Sequence, residues 1–292
     1  MAAVYLGCPL WAHAPWRGRF FTEDASREAF LPQYASVFGT TEGNATFYGL
    51  PSRETVARWC AEAPRPFRFC FKFPRAVSHD RELVGAEVET AEFFERLGPL
   101  GERLGPFFLQ LPECFGPDRL PQLATYLRAL PRDHRYAVEV RSRAFFDHAD
   151  AEQRLNEMLV AQGINRVIFD TRGLFASAAD DPATREARRK KPRLPVRPIA
   201  TGNEPFVRFV GDPDLEQNEA ALQTWARVAR KWMEQGRTPY FFLHHPDDLH
   251  APPLARRLHL WLHREAPALV EAPPLWPVER QPRSPQQLDL FG

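Results

Sequence analysis

Three observations predict that this 292-residue chain is an α/β protein folded as a TIM-like (β/α)8 barrel. Short apolar runs recur at intervals of roughly 30 to 40 residues, each followed by a segment of helical period. Charged and amide residues gather at the C-terminal ends of those runs, where such barrels carry their sites. No GxGxxG or Walker turn marks the competing open, doubly wound sheet.

The elements follow in order. Val4 to Cys8 forms the first strand, and Thr40 to Asn44 the second. Ser52 then caps a helix through Ala63. Phe67 to Phe73 leads to a helical segment after Gly85, Pro106 to Leu111 to one after Pro117, and Tyr136 to Arg141 to one after Ala151. Arg166 to Asp170 precedes a long stretch from Thr171 to Asn203, which holds the basic run Arg188, Arg189, Lys190, Lys191 and Arg193. A stretch of that length is too long for a routine connection; the run is either a solvated loop face or a contact for phosphates. Pro205 to Val210 and Pro239 to His244 complete the eight, with helices after Pro213 and Ala251. Residues 1–265 thus form the barrel, and 266–292 a flexible Pro-rich tail that Leu275 and Trp276 can pin in part. Unpinned, the 21 residues to Gln286 would reach at most about 60 Å.

Composition excludes several function classes. A formal charge of +1 argues against nucleic-acid binding by bulk electrostatics, leaving only a local basic patch. The four cysteines, Cys8, Cys60, Cys70 and Cys114, include no CxxC pair, so neither a disulfide framework nor a zinc knuckle is expected. No signal-like opening or membrane-length apolar run occurs, and the expected location is cytoplasmic, with no membrane partner.

Strand alternation selects the inward-facing residues. The phenylalanines of Phe69-Cys70-Phe71-Lys72-Phe73 suit the helix side and turn Lys72 inward. The same parity turns in Glu42, Asn44, Gln110, Glu139, Arg141, Asp170 and Arg208, with one of His244 and His245. Acids Glu42, Glu139 and Asp170 face bases Lys72, Arg141 and Arg208, which amounts either to an ion-paired plug or to a ligand site. So many charges favour a site, because a plug is made more cheaply from branched apolar side chains. Lys72, Arg141 and Arg208 suit an anion such as phosphate; Glu139, Asp170 and Lys72 are the candidate catalytic groups, with a carboxylate as general base. Trp11, Glu42, Asn44, Tyr48, Gln110, Arg141, Arg208 and His244 are the candidate substrate-binding residues. No HExxH or His-x-His spacing assigns a metal, so any cofactor is unknown and a divalent metal is not favoured.

The order of motifs resembles the YecE-like family, a domain of unknown function. The motifs are Gly7 to Trp11, Pro15-Trp16-Arg17-Gly18-Arg19-Phe20-Phe21, Glu42-Gly43-Asn44-Ala45-Thr46-Phe47-Tyr48, Phe71-Lys72-Phe73-Pro74 with His79-Asp80, Gly105 to Pro112, and Tyr136 to Arg141. The resemblance implies a TIM-like barrel and a distant likeness to apurinic endonucleases. Val210-Gly211 stands where the family often has His-Gly, and His244-His245 where it usually has Asn-Asn, so a shared fold is better supported than a shared substrate.

Just before Gly292 stands Gln287-Leu288-Asp289-Leu290-Phe291, which resembles the bacterial sliding-clamp-binding peptide. Three apolar side chains can fill a preformed cleft while Gln287 fixes register, giving a weak, reversible tether. The expected partners are the DNA polymerase sliding clamp (beta subunit) and DNA or a phosphorylated small molecule. The expected function is DNA repair or nucleotide phosphate-ester hydrolysis at the clamp. The alternatives are a non-catalytic clamp accessory and a sugar or small-molecule hydrolase with an incidental tail.

Overall fold

A computed structural model describes residues 3–281. Eight strands form one parallel sheet: β1 (Tyr5–Cys8), β2 (Thr40–Gly43), β3 (Arg68–Phe71), β4 (Phe107–Gln110), β5 (Tyr136–Glu139), β6 (Asn165–Asp170), β7 (Phe206–Val210) and β8 (Tyr240–His244). The ladder runs β3-β2-β1-β8-β7-β6-β5-β4. Its two ends meet through the Phe69–Leu104 and Lys72–Phe108 bridges, with Phe73 N–H donating to the Phe108 carbonyl at 3.0 Å. The sheet therefore curls into a barrel, and each strand falls within the run that predicts it, except that β6 begins one residue earlier, at Asn165.

Helices cover the outside: α1 (Phe30–Ala35), α2 (Arg53–Glu62), α3 (Glu87–Leu97), α4 (Leu120–Ala129), α5 (Ala144–Asp147), α6 (Ala149–Ala161), α7 (Arg172–Ala176), α8 (Pro182–Lys190), α9 (Glu219–Glu234), α10 (Ala251–Glu265) and α11 (Pro277–Arg280). Ser52 caps α2 as expected, its hydroxyl accepting from Thr55 N–H. Among the described residues, no helix is long and apolar enough to cross a membrane.

Apolar side chains on the outer strand faces meet the helices in one core, while the barrel interior holds Tyr5, Cys70, Phe108, Ala137, Val167, Phe206, Tyr240 and Phe242. That interior set lies towards the N-terminal ends of the strands. Its rings pack closely, Tyr5 stacked on Tyr240 at 4.6 Å and Phe206 tilted against Phe242 at 4.7 Å. β1 and β2 approach closely at Gly7, where a Cβ would fall 1.8 Å from the Thr40 carbonyl oxygen. The Trp16-Phe20-Phe21 motif is structural: all three rings are buried, and Trp16 Nε1 donates to the Asp248 carbonyl, tying the loop after β1 to the loop after β8.

Two expectations about connections change. The Thr171–Asn203 stretch folds into α7 and α8 instead of forming an open loop. The expected flexible tail is packed against the barrel as far as Gln281. The segment runs back along α10, with His263 near Val270, His259 near Glu271 and Arg256 paired with Glu279. Trp276 meets Phe20, and Gln281 reaches Asp24 beside the loop that follows β1. Apolar Val270, Trp276 and Pro277 give this Pro-rich stretch enough area to hold it in place. Residues 287–291 lie outside the described residues.

Candidate active site

At the C-terminal ends of the strands the interior changes from aromatic to charged. Arg208, carried inward on β7, occupies the centre and is 6% exposed, too little for water to replace its partners. Its Nε and Nη2 donate to the two oxygens of Glu42 on β2, at 2.7 and 2.9 Å. Its Nη1 donates to Glu139 on β5 at 2.6 Å, and Arg141 Nε donates to the other Glu139 oxygen at 2.8 Å. Asn44 Nδ2 donates to Glu42 at 2.8 Å, and His244 Nε2 lies 3.1 Å from the same carboxylate. The guanidinium also lies over the Phe108 and Phe169 rings, joining the charged layer to the aromatic one below.

The electrostatics follow from this packing. Burial alone would raise both acids, but Arg208 and His244 hold Glu42 well below the usual carboxylate range, and Arg208 with Arg141 brings Glu139 to about 2. Burial lowers His244, so its neutral ring donates through Nε2 to Glu42. Lys72 is lowered to about 7 by burial and then by Arg208, with Glu139 opposing in part. Burial and the neighbouring Lys72 lower His79 to about 4.

Above this layer opens a cavity of about 670 Å³. Its walls include Asn44, Lys72, Gln110, Arg141, Arg208 and His244, as the strand alternation predicts, and Tyr48, expected among the substrate-binding residues. Phe47, Arg75, His79, Phe169, Lys190, Lys191 and Asp248 also line it, and sequence reasoning did not assign them to the site. Cations outnumber acids in this set even when Glu42 and Glu139 beneath are included. Cavities of similar size lie between α1 and α2 and between α3 and α4, but both sit on the helical shell away from the convergent charges.

The basic run divides by helical position. Arg188 turns inward and donates to the Leu174, Ser177 and Ala179 carbonyls, which fastens the loop. Arg189 pairs with Glu186 on the surface, while Lys190 and Lys191 reach the mouth. Burial, then Arg208, lowers Lys191.

Two expected site residues are elsewhere. Asp170 does not face the interior: its carboxylate accepts from Trp225 Nε1 on α9 at 2.9 Å and from Arg172 at 2.8 Å. The inward residues of β6 are Val167 and Phe169, because Arg166 and Asp170 share the outward parity. Trp11 packs edge-on against Trp59 and Phe69 and lines the α1–α2 cavity, not the mouth.

The floor is poorly suited to a metal, since Arg208 already supplies the cation that Glu42 and Glu139 share. At the rim, His245, Asp247 and His250 bring three ligand-type atoms within 4.8 Å of one another, a His-x-Asp-x-x-His spacing that sequence reasoning missed. Asp247 already bonds both rings, His245 Nδ1 at 2.6 Å and His250 Nδ1 at 2.8 Å.

Fold and site together define a TIM-like barrel with a cationic, carboxylate-floored mouth. The chain belongs to the DUF72 family, described as a protein of unknown function, whose match spans residues 5–279. It is 40% identical over 288 residues to the UPF0759 protein YecE of Escherichia coli (strain K12), covering 99% of this chain and 100% of that one. Two solved DUF72 family structures share its fold. That from Enterococcus faecalis has a TM-score of 0.66 at 19% identity, covering 89% of this chain and 95% of its own. That from Thermotoga maritima has a TM-score of 0.65 at 24% identity, covering 86% and 96%.

Proposed function

We propose that the barrel mouth binds and transforms a phosphate-bearing substrate, and that the terminal QLDLF brings this site to the DNA sliding clamp. The observation that carries the first half is the set of cations left over once Arg208 and Arg141 have neutralised Glu42 and Glu139. Lys72 and Lys191 line the cavity without a carboxylate in ion-pair distance among the described residues, beside Arg141. An anion entering there meets donors already in place.

The geometry shifts the expected catalytic roles. Glu139 is spent on Arg208 and Arg141, which makes it a weak base, whereas Lys72 titrates near neutrality and reaches the cavity. A glycosidase pair is also disfavoured, because it needs one carboxyl that holds its proton, and Glu42 and Glu139 are both ionised.

The clamp half rests on the peptide and on its point of departure. The chain is fastened at Gln281 near the loop after β1, and only six sequence positions separate that anchor from Gln287. A docked tail would therefore hold the barrel close to the clamp. Binding of the purified clamp to the full chain should be micromolar, and should vanish when Gln287 to Phe291 are deleted; equal affinity removes the recruitment. Abasic duplexes, nicked duplexes and phosphorylated sugars, tested with and without divalent metal, should show turnover that Lys72→Met abolishes. Binding without turnover would make the protein a non-catalytic clamp accessory.

A further inference from the structure

Lys72 differs from the paired cations of the mouth. Arg208, Arg141, Arg75 and Lys190 each pair with a carboxylate, on Glu42 and Glu139, Glu139, Asp80 and Glu186 respectively. Lys72 Nζ has no such partner within 4.0 Å among the described residues. It rests 3.7 Å from the centre of the Phe47 ring, on a side chain that is 9% exposed but lines the cavity. An amine desolvated beside guanidinium groups holds its proton loosely, and its neutral form is a nucleophile. The value near 7 agrees with this placement.

The surroundings describe what the amine would meet. Arg141 and Lys191 supply charge for a phosphate. Gln110 lines the same cavity and His244 has Nδ1 free of the Glu42 contact, so both can bond hydroxyl groups. Phe47 and Phe169 give apolar walls.

We propose that Lys72 forms an imine with the carbonyl carbon of a phosphorylated, hydroxyl-bearing aldehyde or ketone. This deepens the phosphate-site reading and rests on it. The Nζ lone pair attacks the carbonyl carbon, and the carbonyl π pair moves to oxygen, which takes a proton. The nitrogen lone pair then forms C=N as the C–O bond breaks and water leaves. That water carries one amine proton and one solvent proton, the iminium keeps the other amine proton, and nothing is oxidised or reduced. Two sources share this chemistry: a free phosphorylated sugar, and the ring-opened deoxyribose phosphate at a broken DNA end.

Trapping with sodium cyanoborohydride tests it, because hydride delivered to an iminium leaves a permanent secondary amine. The full chain is incubated with 2-deoxyribose 5-phosphate, with a nicked duplex bearing a 5′-deoxyribose phosphate, or with unphosphorylated deoxyribose, and then mapped by mass spectrometry. We expect one adduct per chain on the Lys72 peptide, at least tenfold above the deoxyribose control and above Lys72→Met. The phosphorylated arm that labels faster identifies the source. Lys72→Met removes a buried charge, so it should stay folded, which its melting curve checks. Labelling no greater than in Lys72→Met, or labelling centred on Lys190 or Lys191, overturns the imine. Calorimetry with inorganic phosphate separates the two failures: wild-type binding without an adduct sinks the imine alone, and no binding sinks the phosphate site as well.

Discussion

The two ends of the barrel interior are built from the same eight strands and the same alternation, yet they hold opposite chemistry. At the bottom, Tyr5, Phe108, Phe206, Tyr240 and Phe242 fill the space with packed rings. Two residues further along the same strands, Gln110, Arg208 and His244 face inward with Glu42, Lys72 and Glu139 from their neighbours. The bottom is stabilised by burying apolar area, with no charge to desolvate. At the mouth two carboxylates and a guanidinium must be removed from water, and packed hydrophobic residues would serve stability as well or better. Such a layer is explained by what it holds above it.

The largest expected effect breaks the mouth. Arg208→Met leaves Glu42 and Glu139 buried without their shared cation, which should cost about 4–5 kcal/mol at pH 7 in denaturant titrations. In the native protein both acids are depressed, so their contribution is present above the ordinary carboxylate range and is lost as pH falls. The deficit of the variant should therefore shrink between pH 7 and pH 4, where its acids regain protons. Phe206→Ala, at the bottom, should cost about 3–4 kcal/mol by opening a void. Its deficit should be the same at both pH values, and phosphate binding should survive; a pH-dependent loss there would erase the distinction between the two ends.

Lys72→Met has the opposite sign. The folded protein holds Lys72 near 7, so between pH 7 and the ordinary lysine range the unfolded chain binds more protons and stability rises with pH. Replacing the lysine should stabilise the fold below pH 7, and the gain should fade as pH approaches 10. Melting curves across that range check it.

How much of this was legible in the sequence depended on polarity contrast. Strands such as Phe69-Cys70-Phe71-Lys72-Phe73 and Tyr136-Ala137-Val138-Glu139 place one polar residue among apolar ones, so their inward face could be read directly. β6 gives no such contrast, because Val167, Ile168 and Phe169 are apolar on both faces, and Asp170 was consequently assigned to the wrong side. Trp11 looked like a site residue from its motif, but its direction is set by contacts with Trp59 and Phe69 that are distant in sequence. Lys190 and Lys191 were hidden within a basic run whose members divide only once α8 forms. The contribution of Phe47 to the Lys72 environment is a tertiary contact with no local signal.

The central claim is that Lys72 and Lys191, unpaired at the mouth, form an anion site together with Arg141, and crystals soaked in inorganic phosphate test it most directly. The structure predicts phosphate density above Arg208, between Lys72, Arg141 and Lys191, which disappears in Lys191→Ala. A mouth without phosphate at saturating concentration, with the anion found only on outer lysines and arginines, would contradict it.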